Sequence, residues 1–270
     1  MAALLQGLWA EARGPAASLA LLLAAVLLAG LARAAAGRLR PRARALALEL
    51  LGTWQLCCCT HELQLLSAPE PARPSWAPAL LYLLALVHGL TLAGAAANPC
   101  VLLLQLLRGG LGPGAGALRL AAQLAGALGS RLCVSAAWGL GPSEPHLAAR
   151  ALPCRGPLRA ALPQAVATEA ACAFLFHSAL LHSQEVRGPL RLHLLAALTT
   201  FLAHAGGSLT GALYNPALAL SLHLKCFVED FHQFFVVYCL GPSLGILLMV
   251  LMFNFFLPWL HNNSTANKNE

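Results

Sequence analysis

The chain has 270 residues, of which 59% are hydrophobic and 10% are charged. An ordinary soluble domain carries roughly a quarter charged residues, so this composition excludes a soluble globular protein. The formal net charge is +7, and the Arg residues stand between apolar blocks without forming a basic helix face. That placement is typical of membrane topology, so we expect no nucleic-acid partner.

Seven apolar blocks follow one another along the chain, and each comes near the ~20 residues that cross a bilayer. They cover residues 15–35, 45–66, 76–97, 117–140, 163–184, 190–208 and 232–257. Polar stripes at helical period, which a soluble helical bundle would need, are largely missing. The sequence therefore predicts an all-α membrane protein that is surrounded by the lipid bilayer.

The first block, 15–35, has more than one interpretation. A cleaved signal peptide would end at a small-residue cleavage site. Here Glu11 precedes the block and an Arg-rich run at 33–44 follows it. We therefore expect an extra helix that is retained, either spanning the membrane or lying on it. The Arg-rich run and the C-terminus are predicted to face the cytosol, and the loop 141–162 to face the other side.

Two shorter apolar pieces, 98–108 and 215–224, each begin at an Asn-Pro pair. Pro is favoured at the first helical position, and Asn is a strong N-cap. Each pair therefore predicts the start of a short half-helix. Non-helical backbone at membrane depth must be enclosed by protein or line a cavity. Both loops are consequently expected in the interior of the bundle.

The two Asn-Pro stretches belong to an internal repeat, in which the aligned pairs are Gly89 with Gly206, Thr91 with Ser208, Gly94 with Gly211 and Asn98 with Asn215. Upstream, Glu49 and Glu169 each lie in the first span of a half. Three spans per half make the two halves point oppositely through the membrane, which is typical of transport proteins. The predicted segments are an N-terminal helix with a basic linker (1–44), the first half (45–140), a connecting loop (141–162), the second half (163–257) and a loose polar tail (258–270).

Inverted half-helices would meet at their N-termini near the middle of the membrane. The positive ends of both helix dipoles would then point at one spot. A water molecule there would accept hydrogen bonds from the side-chain amides of Asn98 and Asn215. The local positive potential repels cations and protons, whereas small neutral solutes suffer no such penalty.

Four stretches identify a family: "NPC" at 98–100, "QLCCCTHELQLLS", "GGSLTGALYNPALALSLH" and "PSLGILLM". Through them, residues 45–257 resemble the aquaporins, or major intrinsic proteins, and within them the divergent superaquaporin branch. The resemblance implies six transmembrane helices plus two half-helices, assembled as a homotetramer with one pore per subunit. The block at 15–35 departs from this pattern as an extra helix. The branch is associated with the endoplasmic reticulum membrane, which we adopt as the expected location.

The resemblance also assigns residues to the pore. Its two signature triplets fall on Asn98, Pro99, Cys100, Asn215, Pro216 and Ala217. The family's Arg after the second triplet is replaced by Leu218, and the other constriction candidates are Tyr82, His204 and Ala212. Such a mouth is wider and more apolar than a water-only filter, which favours glycerol and hydrogen peroxide beside water. Glu49 and Glu169 would accept backbone N–H bonds from the loops, although a carboxylate at a span end could instead snorkel to the interface.

The nine Cys and ten His residues show no metal-ligand spacing, so we expect neither a metal nor a cofactor. Cys100 is either a redox handle or a small packed residue beside the pore. Cys154, in a polar loop, could pair or react, and its partner stays open. No catalytic motif occurs, so we expect no enzyme and no catalytic residue. The alternative to a channel is a largely closed structural or homeostatic membrane protein, blocked by Leu218 and Tyr214.

Overall fold

The computed structural model of the chain describes residues 2–67, 74–151, 154 and 158–266, with side chains from 12 to 261. All regular elements in this part of the chain are helical. They are α1 (Ala2–Ala36), α2 (Pro41–Leu66), α3 (Ala77–Thr91), α4 (Pro99–Leu107), α5 (Pro113–Gly139), α6 (Glu144–Ala151), α7 (Leu162–His182), α8 (Gly188–Gly206), α9 (Pro216–Leu222), α10 (Leu224–Glu229), α11 (Phe231–Phe235), α12 (Gly241–Leu251) and α13 (Leu257–Ala266). The π-helical turns Val236–Leu240 and Met252–Phe256 join α11, α12 and α13 into one rod.

Four stretches of the described chain are long and apolar enough to cross a membrane: Ala12–Ala36, Pro113–Gly139, Leu162–Glu185 and Phe231–His261. The predicted span at 76–97 was too long, because α3 ends at Thr91 and a non-helical loop follows it. Within the polar tail predicted at 258–270, helix α13 continues to Ala266, and residues 267–270 lie outside the described residues.

The repeat is visible in how the helices pack. In the first half α2 packs along α5, and in the second half α7 packs along α12. A Cβ on Gly126 of α5 would overlap the carbonyl oxygen of Leu50, and one on Gly245 of α12 would overlap that of Ala170. Glycine is therefore required at the same place in both pairs. The half-helices cross over, since α4 packs on α12 and α9 packs on α5, while α3 pairs with α8.

Helix α1 lies outside the repeat and packs along α2. Its Leu22 and Ala25 share a core cluster with Cys58, Cys59 and Leu63 of α2. A buried polar network also joins it to the bundle. In that network Ser18 Oγ lies 3.2 Å from His146 Nε2, and the same nitrogen lies 3.2 Å from Glu62 Oε2. The extra apolar helix expected from the sequence is thus a packed part of the fold.

A disulfide between Cys154 and Cys226 joins the loop before α7 to the segment after α9. The sequence left the partner of Cys154 open, because a spacing of 72 residues carries no pairing signal. The bond ties the connecting loop to the end of the second half-helix. Cys226 lies in the core cluster that also holds Ala217 and Leu218, and Cys154 packs against that cluster, so the bond restrains the end of the second half-helix.

Candidate functional site

Each Asn-Pro pair begins a half-helix. Asn98 has extended backbone (φ −152°, ψ 120°), and its side chain accepts a bond of 2.9 Å from the Cys100 N–H. Asn215 is likewise extended (φ −142°, ψ 102°) and accepts from the N–H groups of Ala217 and Leu218 at 3.1 and 3.2 Å. The prolines stand at the first helical position, where no donor is needed. Both asparagines are therefore N-caps, with their amide nitrogens left for other partners.

The two half-helices meet through a crosswise pair of hydrogen bonds. Asn98 Nδ2 donates to the Tyr214 carbonyl at 3.2 Å, and Asn215 Nδ2 donates to the Ala97 carbonyl at 2.9 Å. The contact brings the N-terminus of α4 to that of α9, so the positive ends of both dipoles face one point. Each amide nitrogen has two hydrogens. One is used in this exchange, and the second remains for a ligand.

The residues that accept these bonds have unusual backbone. Ala97 and Tyr214 have φ of 48° and 34°, in the left-handed region that non-glycine residues rarely adopt. Each directly precedes the capping Asn, and the conformation aims its carbonyl at the opposite half. Such strain costs about 1–3 kcal/mol per residue and persists only where the surroundings hold it.

Glu49 holds the first loop. Its Oε2 accepts from the N–H groups of Ala96 and Ala97 at 3.0 and 3.1 Å, and from Gln123 Nε2 at 2.9 Å. The side chain of Glu49 is buried at 1% relative exposure. A buried carboxylate requires several donors, and three converge on this oxygen. One of the three is the N–H of Ala97, the residue with the left-handed backbone.

Glu169 holds the second loop in the same way. Its Oε1 accepts from Thr210 Oγ1 at 2.6 Å and from the Leu213 N–H at 3.1 Å. Its Oε2 accepts from the Tyr214 N–H at 2.6 Å. Tyr238 Oη donates to the Thr210 carbonyl at 2.6 Å and adds a further tie. Both carboxylates thus bind the N–H of the strained residue before an asparagine.

Sequence reasoning missed the partners that complete these supports: Gln123, Thr210 and Tyr238. A signal existed for Thr210, because the aligned position of the first half is Ala93. When one half has a polar residue where the aligned residue of the other half is apolar, the polar side chain is expected to make a hydrogen bond in its own half. Gln123 and Tyr238 lie on distant helices, and the chain order alone does not place them beside the loops.

The four constriction candidates have different surroundings. Tyr82 and His204 line a groove of about 550 Å³ between α3 and α8, whose lining residues are Pro78, Ala79, Tyr82, Ala197, Thr200, Phe201 and His204. The Tyr82 hydroxyl lies 2.6 Å from His193 Nδ1. Ala212 packs instead with Tyr214 and Leu202, and Leu218 lies in a core cluster with Tyr238. Tyr82 and His204 thus line one groove, whereas Ala212 and Leu218 pack in buried clusters, and all four stay constriction candidates.

The residues behind the two prolines are packed. Cys100 is 1% exposed and lies in a cluster with Leu104, Ile246 and Met249. Ala217 is fully buried in the cluster that also holds Leu218. Of the two interpretations of Cys100, the packed small residue matches this environment.

One histidine and two serines are in contact in the interior, although the sequence shows no catalytic motif that contains them. His61 Nε2 lies 3.1 Å from Ser221 Oγ, and Ser221 Oγ lies 2.8 Å from Ser130 Oγ. Both serines have no exposed surface. These bonds hold α9 against α2 and α5, and a buried hydroxyl offers no access to a substrate. Within the described chain, no group of three or more His, Cys, Asp or Glu side chains could hold a metal ion.

The chain is similar to named proteins over most of its length. It is 60% identical to aquaporin-11 of Equus caballus over 269 residues, covering 98% of this chain and 99% of that protein. The identity to aquaporin-11 of Homo sapiens is also 60%, over 268 residues, with 98% and 99% covered. Aquaporin-12 of Mus musculus is 37% identical over 216 residues, covering 78% of this chain and 74% of that protein. No protein-family model matches the chain.

A solved structure has the same fold at low identity. The X-ray structure of the aquaglyceroporin from Plasmodium falciparum superimposes with a TM-score of 0.60. The identity is 18%, and the match covers 81% of this chain and 98% of that one. The six spans, the two half-helices and their inverted repeat are therefore confirmed as an aquaporin-like fold with an added N-terminal helix. With 60% identity to aquaporin-11 across nearly its whole length, the chain belongs to the aquaporin family of integral membrane channels, in the superaquaporin branch.

Proposed function

We propose that this chain is a passive channel for water and small neutral solutes, including glycerol and hydrogen peroxide, and that it excludes protons and ions. The observation that carries the proposal is the crosswise pairing of Asn98 with Tyr214 and of Asn215 with Ala97. It holds two amide nitrogens side by side at the meeting point of two helix N-termini, with one N–H left on each. Membership of the aquaporin family agrees with this function.

The exclusion of protons follows from that geometry. A water oxygen that accepts from both Asn98 and Asn215 must turn its own two hydrogens away from the half-helices. Its neighbours are then oriented oppositely on the two sides, which interrupts a continuous proton relay. The positive ends of α4 and α9 raise the cost of any cation at the same point. A neutral hydroxyl oxygen, as in glycerol or a peroxide, can accept the same bonds.

The range of solutes is proposed from the second triplet. Leu218 stands where the resemblance expects an Arg, so a fixed charge with its donors is lost. Tyr82, His204 and Ala212 stay constriction candidates with Leu218, although they lie in different clusters. An apolar wall without a guanidinium discriminates less against solutes larger than water. We therefore propose glycerol and hydrogen peroxide as co-permeants.

A second candidate function is a largely closed structural or homeostatic membrane protein. One observation favours it, because Leu218 and Tyr214 are each only 8% exposed and are packed in core clusters. Side chains that close the mouth in this way would leave the half-helices intact and prevent permeation.

Location and assembly are part of the proposal. Arg38, Arg40, Arg42 and Arg44 are all exposed around the α1–α2 turn, which supports a cytosolic position for that turn. The disulfide lies on the opposite side of the predicted topology, as an oxidising compartment such as the endoplasmic reticulum lumen requires. We propose an endoplasmic reticulum membrane protein that assembles as a homotetramer.

The test is flux in proteoliposomes. Water, glycerol and peroxide entry should exceed that of empty vesicles, and Asn215→Leu should remove most of the excess. Asn254→Ala is the matched control, because Asn254 is an exposed amide on the last helix. Folded protein that conducts none of the three solutes would reject the channel and favour the closed protein.

A further inference from the structure

A chain of three side chains connects the extra helix to the first half-helix loop. Arg33 Nη1 on α1 donates to Gln55 Oε1 on α2 at 2.7 Å. Gln55 Nε2 in turn donates to Thr91 Oγ1 on α3 at 2.9 Å. Gln55 has no exposed surface, so both of its polar atoms depend on these partners.

Thr91 is the point where the chain leaves α3 and enters the loop. It is the last residue of that helix, and its hydroxyl donates to the Val87 carbonyl at 2.7 Å. Residues 92–97 then lead to Asn98. Glu49 holds the far end of this loop at Ala96 and Ala97. The loop is therefore fixed at its far end by Glu49 and at its beginning by the bond from Gln55.

The second half lacks this chain. Leu175 stands six residues after Glu169, as Gln55 stands six after Glu49, and its side chain is 46% exposed. The aligned partner of Thr91, Ser208, is also exposed. The second loop relies instead on Thr210, which binds Glu169 and Tyr238.

The first loop has Ala93 at the position of Thr210, so it lacks the hydroxyl that donates to the carboxylate in the second loop. The first half therefore has the hydrogen bonds from Arg33 through Gln55 to Thr91, and it lacks the bond that Thr210 makes to Glu169 in the second half. Gln55 of α2 makes the bond to Thr91, and Arg33 of α1 holds Gln55 through its Oε1.

We propose that Arg33 is a positioning residue for the first half-helix, acting through Gln55 and Thr91 on the start of the loop that carries Asn98. In this arrangement α1 belongs to the permeation machinery and is more than a membrane anchor. The consequence for flux rests on the proposed channel function, whereas the ordering of the loop does not.

The experiment measures loop order and flux separately on the full-length protein. Gln55→Leu installs the residue of the second half. It should raise hydrogen exchange of peptides covering 92–97 by roughly tenfold, leave 209–214 unchanged, and lower water flux several-fold. Thr91→Val should act in the same direction. Thr60→Val is the matched control, because the Thr60 hydroxyl donates to the Leu56 carbonyl of its own helix at 2.8 Å, away from the loop, and both readouts should stay unchanged.

If Gln55→Leu does not fold, a double-mutant comparison still tests the proposal. Arg33→Gln and Thr91→Val should be non-additive in the exchange of 92–97, because both break one chain. The positioning role would be overturned if the increases in exchange from Arg33→Gln and Thr91→Val added up. It would also be overturned if exchange at 92–97 stayed unchanged in a folded variant of Arg33, Gln55 or Thr91. Increased exchange together with no flux in the unaltered protein would reject the channel function and leave the positioning role standing.

Discussion

The two half-helix loops use the same kind of anchor in different ways. Oε2 of Glu49 accepts from three donors, whereas its Oε1 has no hydrogen-bond donor among the residues described and lies 3.9 Å from Arg119 Nη1. Glu169 uses both oxygens for three donors. In both halves the carboxylate binds the N–H of the residue before the asparagine, which is Ala97 in the first half and Tyr214 in the second. The repeat has therefore kept the carboxylate and changed the groups around it.

The groups beyond the carboxylates differ further. Arg119 stands seven residues before Gly126, and Tyr238 stands seven before Gly245, so the two occupy equivalent positions. Tyr238 reaches the Thr210 carbonyl at 2.6 Å, whereas Arg119 makes a long and partly exposed ion pair. A disulfide also restrains the second half. The second loop is thus supported by Thr210 and Tyr238 of its own half and by the disulfide to the connecting loop, whereas the support of the first loop includes Arg33 of α1 acting on Gln55.

The largest expected effect is the loss of the disulfide. Cys154→Ser should lower the free energy of unfolding by about 3 kcal/mol, because the bond closes a long loop in the unfolded chain. SDS titration under non-reducing conditions measures this loss. Reducing agent should remove the difference from the unaltered protein. Cys133→Ser, at an exposed free thiol, is the control. A loss for Cys154→Ser that persists in reductant would show that the disulfide does not support the second half.

The carboxylates themselves give the sharpest contrast. Gln at position 49 still offers one oxygen to the loop, whereas Gln at 169 turns an amide N–H₂ toward a backbone donor. Glu169→Gln should therefore destabilise the protein by about 2 kcal/mol more than Glu49→Gln. Paired SDS titrations of the two variants measure the difference. Equal losses would mean that the two anchors are equivalent despite their different bonding.

Tyr238→Phe should have a smaller effect on the second loop alone. The hydroxyl is buried, and its removal leaves the Thr210 carbonyl without that donor. We expect a loss of about 1–2 kcal/mol with faster hydrogen exchange at 209–214. Tyr82→Phe removes a more exposed hydroxyl that contacts His193, and it should change neither quantity. Faster exchange at 92–97 instead would contradict the assignment of Tyr238 to the second loop.

Arg119→Gln is expected to have the smallest effect, below about 0.5 kcal/mol. Its guanidinium is 29% exposed and lies 3.9 Å from Glu49, so solvent screens the pair. The same unfolding titration provides the value. If Arg119→Gln lowered the free energy of unfolding as much as Tyr238→Phe does, the two equivalent positions would contribute equally to stability.

The sequence predicted the residues that are exceptional in their surroundings. Asn98, Asn215, Glu49 and Glu169 are polar residues in apolar blocks, and their repeated spacing indicated half-helices with carboxylates nearby. The end of α3 at Thr91 was missed, because the apolar residues 92–97 look like helix until Glu49 is seen to bind their N–H groups.

Other features depend on contacts between distant segments. Three-dimensional packing sets the partner of Cys154, the hydrogen bonds from Arg33 to Thr91 and the groove that Tyr82 shares with His204. A resemblance to a family aligns residues with its pore and does not describe how altered neighbours repack. The departure at Leu218 was visible in the sequence, and its burial beside Tyr238 was not.

The crosswise asparagine bonds have a consequence for biosynthesis. Asn98 and its acceptor on Tyr214 are separated by 116 residues, and Asn215 and Ala97 by 118. A ribosome adds such a length in roughly 10 seconds. During that interval the nascent first half holds polar loop atoms whose partners do not yet exist. The crosswise bonds that join the half-helices can therefore form only after the second half has been synthesised.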